Sequence, residues 1–303
     1  YAKGSAGNST QFGIQAISCD NSSSFSKNKI RVYASSTNYG LYLSASDGTS
    51  GNENLIANNF ISCHGSGTNS YGIYTTSSNY LNLYHNSVNV TDGSSSNGYA
   101  LNLNSGSNIE LQNNIFANTK TSGGYAIYTN STSNIVASDY NDLYTEGSNL
   151  GYWSGNRTTL ANWQSYSGKD ANSVSTDPFY VSDTDLHARS SVVDSAATPM
   201  VEITDDIDGD ARDATYPDMG ADEFDYVDLT MAGLYTIGGT NPDFTSILSA
   251  VDDIVRFGIS DSVIFEIREG TYIEQVSIED IPGSSVSNYV VFRPENTDSV
   301  EMT

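Results

Sequence analysis

Ten carboxylates crowd the stretch from Glu202 to Asp225, and Arg212 is the only cation among them. Like charges this close repel one another unless something neutralises them. Asp206, Asp208 and Asp210 alternate along the chain and Asp213 follows. Oxygen donors in such a run suit a hard cation, calcium first. The run is not an EF-hand loop, because Ala211 stands where that loop needs glycine and no glutamate closes it. The competing reading is a solvated acidic segment in which Arg212 bridges two carboxylates.

Aromatic residues offer a second chemistry. Tyr42, Tyr74 and Tyr128 are expected to face outward on one side, where a flat ring with a polar tip can contact a glycan. The competing reading is a stacked ladder that stiffens a sheet. His64, His85 and His187 are the only histidines, and none has a cysteine, a histidine or a carboxylate at ligand spacing. His85 is expected at the surface or a corner, and His187 in a structural role. Cys19 and Cys63 fit no metal spacing; they read as two small buried residues, with pairing left open.

Charge narrows the partners. The net charge is −24 with only twelve Lys and Arg, which argues against nucleic-acid binding. All but five of the 36 acids lie at or beyond Asp139, so the first half is nearly neutral and the second strongly acidic. No segment approaches the roughly 18 apolar residues of a membrane span.

The elements that must position these residues announce themselves as a repeat. The motif Phe12-Gly-Ile recurs from Tyr39, Tyr71, Tyr99 and Tyr125, in steps of 26 to 32 residues. A second series starts at Asn28, Asn59, Asn86, Asn114 and Asn141, and a third at Asn54, Asn79, Asn108 and Asn134. Three strand signals sharing one period describe a coil with three sides, each rung stacked on the last. Alternation along the first strand sends Ile14, Leu41, Ile73, Leu101 and Ile127 inward, and Gln15, Tyr42, Tyr74, Asn102 and Tyr128 outward. The Asn28 series suits a corner, where asparagine tolerates left-handed geometry and can build a ladder of amide hydrogen bonds. Extra residues such as Asp47–Glu53 bulge out as loops. The fold class is therefore all-β: a right-handed parallel β-helix solenoid with three strands per rung and short capping helices.

Three stretches carry a family resemblance. Ser138–Val181 resembles the last rungs of right-handed parallel β-helix proteins exported to the surface of gliding and related bacteria of the Bacteroidota type, with a short helix near Leu160–Trp163. Asp185–Phe224 resembles their closing cap, and Leu234–Ile278 their opening cap. The order implies that residues 1–226 finish one β-helix and residues 227–303 open a second. Asn241, Pro242 and Asp243 read as a helix start, Phe244, Ile247, Val251 and Val255 as one helical face, and Gly258 as a stop. Val263, Phe265 and Ile267 alternate as a strand, as do Tyr289, Val291 and Arg293.

The resemblance implies a secreted structural and adhesive protein at the cell surface, a segment of a long array. Asp194, Asp261 and Asp298 begin triplets similar to the O-glycosylation signal of such exported proteins. The rival is a polysaccharide-binding or pectinase-like enzyme. Asn296–Asp298 and Cys63–Gly65 resemble polygalacturonase fragments, but in the wrong order and in different coils. The paired carboxylates of glycoside hydrolysis are missing from the rungs. Lys27, Lys29, Arg31 and Lys120 do not recur in register, as lyase chemistry would need. No enzymatic role and no cofactor beyond calcium is expected. The chain opens at Tyr1 and stops at Thr303 in mid-pattern, so copies joined end to end are the expected partners, with surface glycans beside them.

Overall fold

The computed structural model describes residues 10–33, 36–65, 69–91, 97–120, 123–278, 280–295 and 300–302. Tyr1, Asn296–Asp298 and Thr303 lie outside the described residues. The chain divides into two compact units, Tyr1–Tyr226 and Val227–Thr303.

The first unit is a parallel β-solenoid. Its first rung is β1 (Gln11–Ile17), β2 (Ser24–Ser26) and β3 (Lys29–Tyr33). The second is β4 (Asn38–Ser44), β5 (Asn54–Ala57) and β6 (Phe60–His64), and the third β7 (Asn69–Thr76), β8 (Ser78–Tyr84) and β9 (Ser87–Thr91). The fourth is β10 (Asn97–Leu103), β11 (Gly106–Gln112) and β12 (Ile115–Asn118), and the fifth β13 (Gly124–Thr129), β14 (Ile135–Asp139) and β15 (Asp142–Thr145). Then β16 (Gly151–Trp153) joins the first face, and β17 (Asn156–Arg157) turns back antiparallel to it. The three faces are β1-β4-β7-β10-β13-β16, β2-β5-β8-β11-β14 and β3-β6-β9-β12-β15, each paired in parallel. Register places Tyr39 on Tyr71, Tyr71 on Tyr99 and Tyr99 on Tyr125. The repeat in the sequence is thus the rise from rung to rung.

Leu41, Ile73, Leu101 and Ile127 form the expected inward row and are fully buried, with Ile14 packed against them. Strict alternation nevertheless fails on this face. In β4 the order is Tyr39 out, Gly40 and Leu41 in, and Tyr42 out. A Cβ on Gly40 would lie 2.3 Å from Ile61 Cγ2 and 2.6 Å from the Gly72 carbonyl oxygen. The two inward neighbours therefore need one very small member, and Ala100 and Ala126 fill that place higher up.

The asparagine ladder forms along one corner. Each Nδ2 donates to the next Oδ1: Asn28 to Asn59 (2.9 Å), Asn59 to Asn86 (2.8 Å), Asn86 to Asn114 (2.9 Å) and Asn114 to Asn141 (3.0 Å). The left-handed residue is not the ladder asparagine but the one before it: Lys27, Asn58, His85, Asn113 and Tyr140, with φ between 50° and 61°. Left-handed backbone costs a non-glycine residue about 1–2 kcal/mol. The ladder offsets that cost at every rung by satisfying buried amides.

The end of the coil is closed by α1 (Leu160–Ser167), capped by Thr159 and by the left-handed Gly168. Its buried Trp163 meets Trp153 edge-on at 5.3 Å and donates from Nε1 to Asp170 Oδ2 at 2.6 Å. Asp170 Oδ1 accepts from Asn141 Nδ2, so it terminates the ladder.

Asp185–Phe224, expected as the closing cap, lies instead along the outer side of the third face, and residues 174–184 lead into it as part of the same strap. Phe60, Ile115 and Ala117 point outward there and need cover, which Leu186, Ala188, Val193, Ala197, Ile207, Met219 and Ala221 supply. Long-range bonds fix this strap to early rungs: Ser62 Oγ donates to the Asp183 carbonyl, Arg31 to the Thr184 carbonyl, and Lys27 pairs with Asp205.

The second unit pairs β18 (Met231–Ile237), β19 (Ile259–Ile267) and β21 (Val290–Pro294) in parallel, and β20 (Gly270–Tyr272) with β22 (Val300–Met302). Its helix α2 (Ile247–Phe257) starts later than the sequence suggests. Ser246 caps it, while Asp243 accepts from the Thr236 backbone and hydroxyl and so holds the end of β18. The buried helix face is Ile247, Ala250, Val251 and Ile254. Val263, Phe265 and Ile267 are buried as expected, whereas in β21 it is Val290 and Phe292 that pack inward. Among the described residues, no helix is long and apolar enough to cross a membrane.

Candidate functional site

Two surfaces collect chemistry-bearing side chains: the outer side of the first face, and the strap. On the first face, two outward positions per rung give two rows of rings. The row reached by the Tyr39 position stacks face to face: Phe12–Tyr39 at 5.0 Å, Tyr39–Tyr71 at 4.9 Å and Tyr71–Tyr99 at 4.9 Å, with Tyr125 next at 5.8 Å. This row was invisible to an alternating pattern; its signal was the tyrosine that marks each repeat. In the second row Tyr42 and Tyr74 stack at 5.4 Å and 4°. Asn102 occupies the next rung, so Tyr128 does not join them and stacks on Tyr152 at 4.6 Å. The two rows interlock edge to face, Tyr71 with Tyr74 at 5.1 Å and Tyr99 with Tyr128 at 5.5 Å. Burial pushes the Tyr71 hydroxyl pKa above its ordinary value, reinforced by its tyrosine neighbours. Because inner rings use both faces on each other, edges and hydroxyls are what the strip offers to solvent.

The strap distributes the four acids of the expected calcium site among separate local roles. Asp206 is fully buried. Its Oδ1 accepts from the amides of Asp208, Gly209 and Asp210, and its Oδ2 from the amide of Glu223. Asp213 accepts from the amides of Thr215 and Tyr216, which hold its pKa below the usual carboxylate range. Asp210 is exposed. Asp208 alone joins a convergent group: its Oδ1 takes Lys29 Nζ at 2.6 Å and its Oδ2 meets His187 Nε2 at 2.7 Å.

His187 is surrounded by carboxylates, contrary to the spacing argument. Asp185 holds its Nδ1, and Asp222 Oδ1 lies 3.9 Å from its Nε2. Burial alone would lower the imidazole pKa, but the bonds to Asp185 and Asp208 outweigh it and raise the value. Burial pushes Asp222 up to about 6, with Asp206 and Asp208 adding to the rise and His187 opposing it. Asp185, two residues before the histidine, was the one signal within reach of sequence; Asp208 and Asp222 arrive from later turns of the strap.

Arg212 organises the remaining acids. Its buried guanidinium donates to Asn58 Oδ1, to the Gly220 carbonyl and to Glu223 Oε2. His85 sits beneath the strap at a corner but is fully buried, not at the surface; its Nδ1 faces the Gly220 carbonyl and its Nε2 faces Asn113 Nδ2. Burial lowers its pKa well below the ordinary value, and the charge of Arg212 lowers it further. Asp142, also covered by the strap, accepts from the Thr176 amide at Oδ1, while its buried Oδ2 has no hydrogen-bond partner among the described residues. Burial lifts its pKa well above the carboxylate range. Cys19 and Cys63 are unpaired, and burial pushes the Cys63 thiol up to about 12. No family model, curated protein or solved structure matches this chain.

Proposed function

We propose that this chain is a structural and adhesive segment of an extracellular β-solenoid protein, acting by stiffness and repeated surface and not by catalysis. The observation that supports this most is a pair of ladders along one axis. Asparagines run through a corner and aromatic rings run along the first face, each residue held by the rung below and the rung above. Such continuity opposes sliding and opening between rungs. The resemblance of three stretches to exported surface proteins supports the cell-surface setting, and end-to-end association of copies belongs to the same reading.

Pulling the chain from both ends in a single-molecule force experiment tests it. The first unit should open as one high-force event, and replacing Tyr71 and Asn86 by Ala should lower that force. Rung-by-rung opening at low force would overturn the reading. Incubation with neutral and acidic polysaccharides should release no new chain ends. Retention on a glycan surface that vanishes in Tyr74→Ala would replace stiffness by glycan contact as the role of the strip.

A further inference from the structure

We propose that His187, Asp208 and Asp222 bind one divalent transition-metal ion of the zinc type, which staples three turns of the strap together. The proposal is independent of the mechanical role. The three donor atoms lie within 4.8 Å of one another. Tetrahedral zinc bonds at about 2.0–2.2 Å, so it spaces its ligands roughly 3.3–3.6 Å apart. His187 Nε2 stands 2.7 Å from Asp208 Oδ2 and 3.9 Å from Asp222 Oδ1. The first pair must open and the second close by less than an ångström each.

Asp222 is the independent pointer. It is 6% exposed, accepts no hydrogen bond among the described residues, and aims its carboxylate at the imidazole. A carboxylate this shielded, with no hydrogen-bond donor, favours a cation beside it. The imidazole is prepared as well. Asp185 holds Nδ1, the carboxylate–histidine arrangement that fixes the ring and directs Nε2 toward a metal. Asp208 is anchored from behind by Lys29 on its other oxygen. Three carboxylates face one ammonium here, so two negative charges remain once the imidazole is neutral, matching a divalent ion.

The nitrogen donor decides the class. Calcium takes six to eight oxygens, whereas imidazole suits zinc and its neighbours. Asp206, the obvious calcium ligand in the run, already accepts four backbone amides. The Asp208 side chain is 38% exposed, so solvent reaches the group and water can supply the fourth ligand.

The test uses the full chain, stripped with chelator and titrated calorimetrically with zinc chloride or calcium chloride alone. One equivalent of zinc should bind, and zinc about a hundredfold above its Kd should raise Tm by roughly 5–10 °C over the chelated protein. Calcium should do neither. Asp222→Asn removes a ligand without removing a hydrogen bond, so it should keep the chelated Tm and lose zinc affinity at least tenfold. Asp210→Asn, an exposed acid outside the group, should bind zinc as the parent does. Equal melts in zinc and chelator, or parental zinc affinity in Asp222→Asn, would overturn the proposal.

Discussion

On the first face of the coil the outer side chains repeat from rung to rung and cover one another: Phe12, Tyr39, Tyr71, Tyr99 and Tyr125 stack in line. On the third face the outer side chains change from rung to rung, Phe60, Ser87 and Asp142 among them, and a separate segment covers them. The open face is redundant, since each ring has equivalents above and below. The covered face depends on single residues that meet partners far away in sequence. Repetition therefore spreads stability over many small contacts, while the strap concentrates it in a few.

Arg212 should give the largest effect. Its side chain is 3% exposed and ties Asn58 of the corner to Gly220 and Glu223 of the strap. Arg212→Met would take the guanidinium from Glu223 and from four further acceptors, Asn58 Oδ1 and the carbonyls of Gly220, Asp218 and Asp222. Removing one partner of a buried ion pair costs about 3–5 kcal/mol. Urea unfolding followed by tryptophan fluorescence reads this directly, because Trp153 and Trp163 both lie in the first unit. A loss under 1 kcal/mol would show that the strap is not held by single residues.

Asn114→Ala should follow. It leaves the buried Asn86 amide without its acceptor and the Leu83 carbonyl without its donor. Unpaired buried groups cost about 1–3 kcal/mol each, so about 3 kcal/mol is expected in the same assay. This variant lies inside the repeating part, and a cost matching that of Arg212→Met would blur the contrast between the two faces.

The strap should also make its face sensitive to pH. Asp142 is fully buried, and burial raises its folded pKa well above the unfolded value; the Thr176 amide opposes this only in part. A raised carboxyl contributes stability that is complete below the ordinary carboxylate pKa near 4 and is lost as pH rises toward the folded value. The loss runs at up to about 1.4 kcal/mol per pH unit. Asp142→Asn keeps an oxygen for the Thr176 amide and does not titrate. Parent stability relative to the variant should fall between pH 4 and pH 8. A flat difference over that range would mean that Asp142 ionises freely and that the strap admits water.

The repeat was legible because identical residues recur at identical phase. Asn28, Asn59, Asn86, Asn114 and Asn141 are legible as a ladder from their spacing alone, and they bond one another at 2.8–3.0 Å. The row through Tyr39, Tyr71 and Tyr99 was not, because Gly40 and Leu41 both turn inward and break a period of two. The small residue beside every repeat tyrosine was the available clue. The strap was misread as an end cap because its position depends on pairs such as Lys27 with Asp205, 178 residues apart. No local periodicity carries that information. The same holds for His187, whose carboxylates come together only when the strap folds back.

Tyr71 should give the smallest effect, and the comparison between the faces rests on its size. Tyr71→Leu keeps an apolar side chain on the strand. It removes two stacked contacts, with Tyr39 and Tyr99, and the edge contact with Tyr74. Aromatic pairs contribute about 0.5–1.5 kcal/mol beyond buried area, and a half-buried row sits at the lower end. A loss of about 1 kcal/mol is expected by urea unfolding. Tyr42 stacks on Tyr74 and meets Phe12 and Tyr39 edge-on, so Tyr42→Leu should cost about as much. Because Tyr71 and Tyr99 touch, the double change to Leu should cost less than the sum of the two single changes, each having already removed their shared contact. Strict additivity would mean that the rings do not support one another. No loss at all from Tyr71→Leu would mean that the strip does not stiffen the coil, and a row of tyrosines kept on the open face would then have to be explained by what binds there.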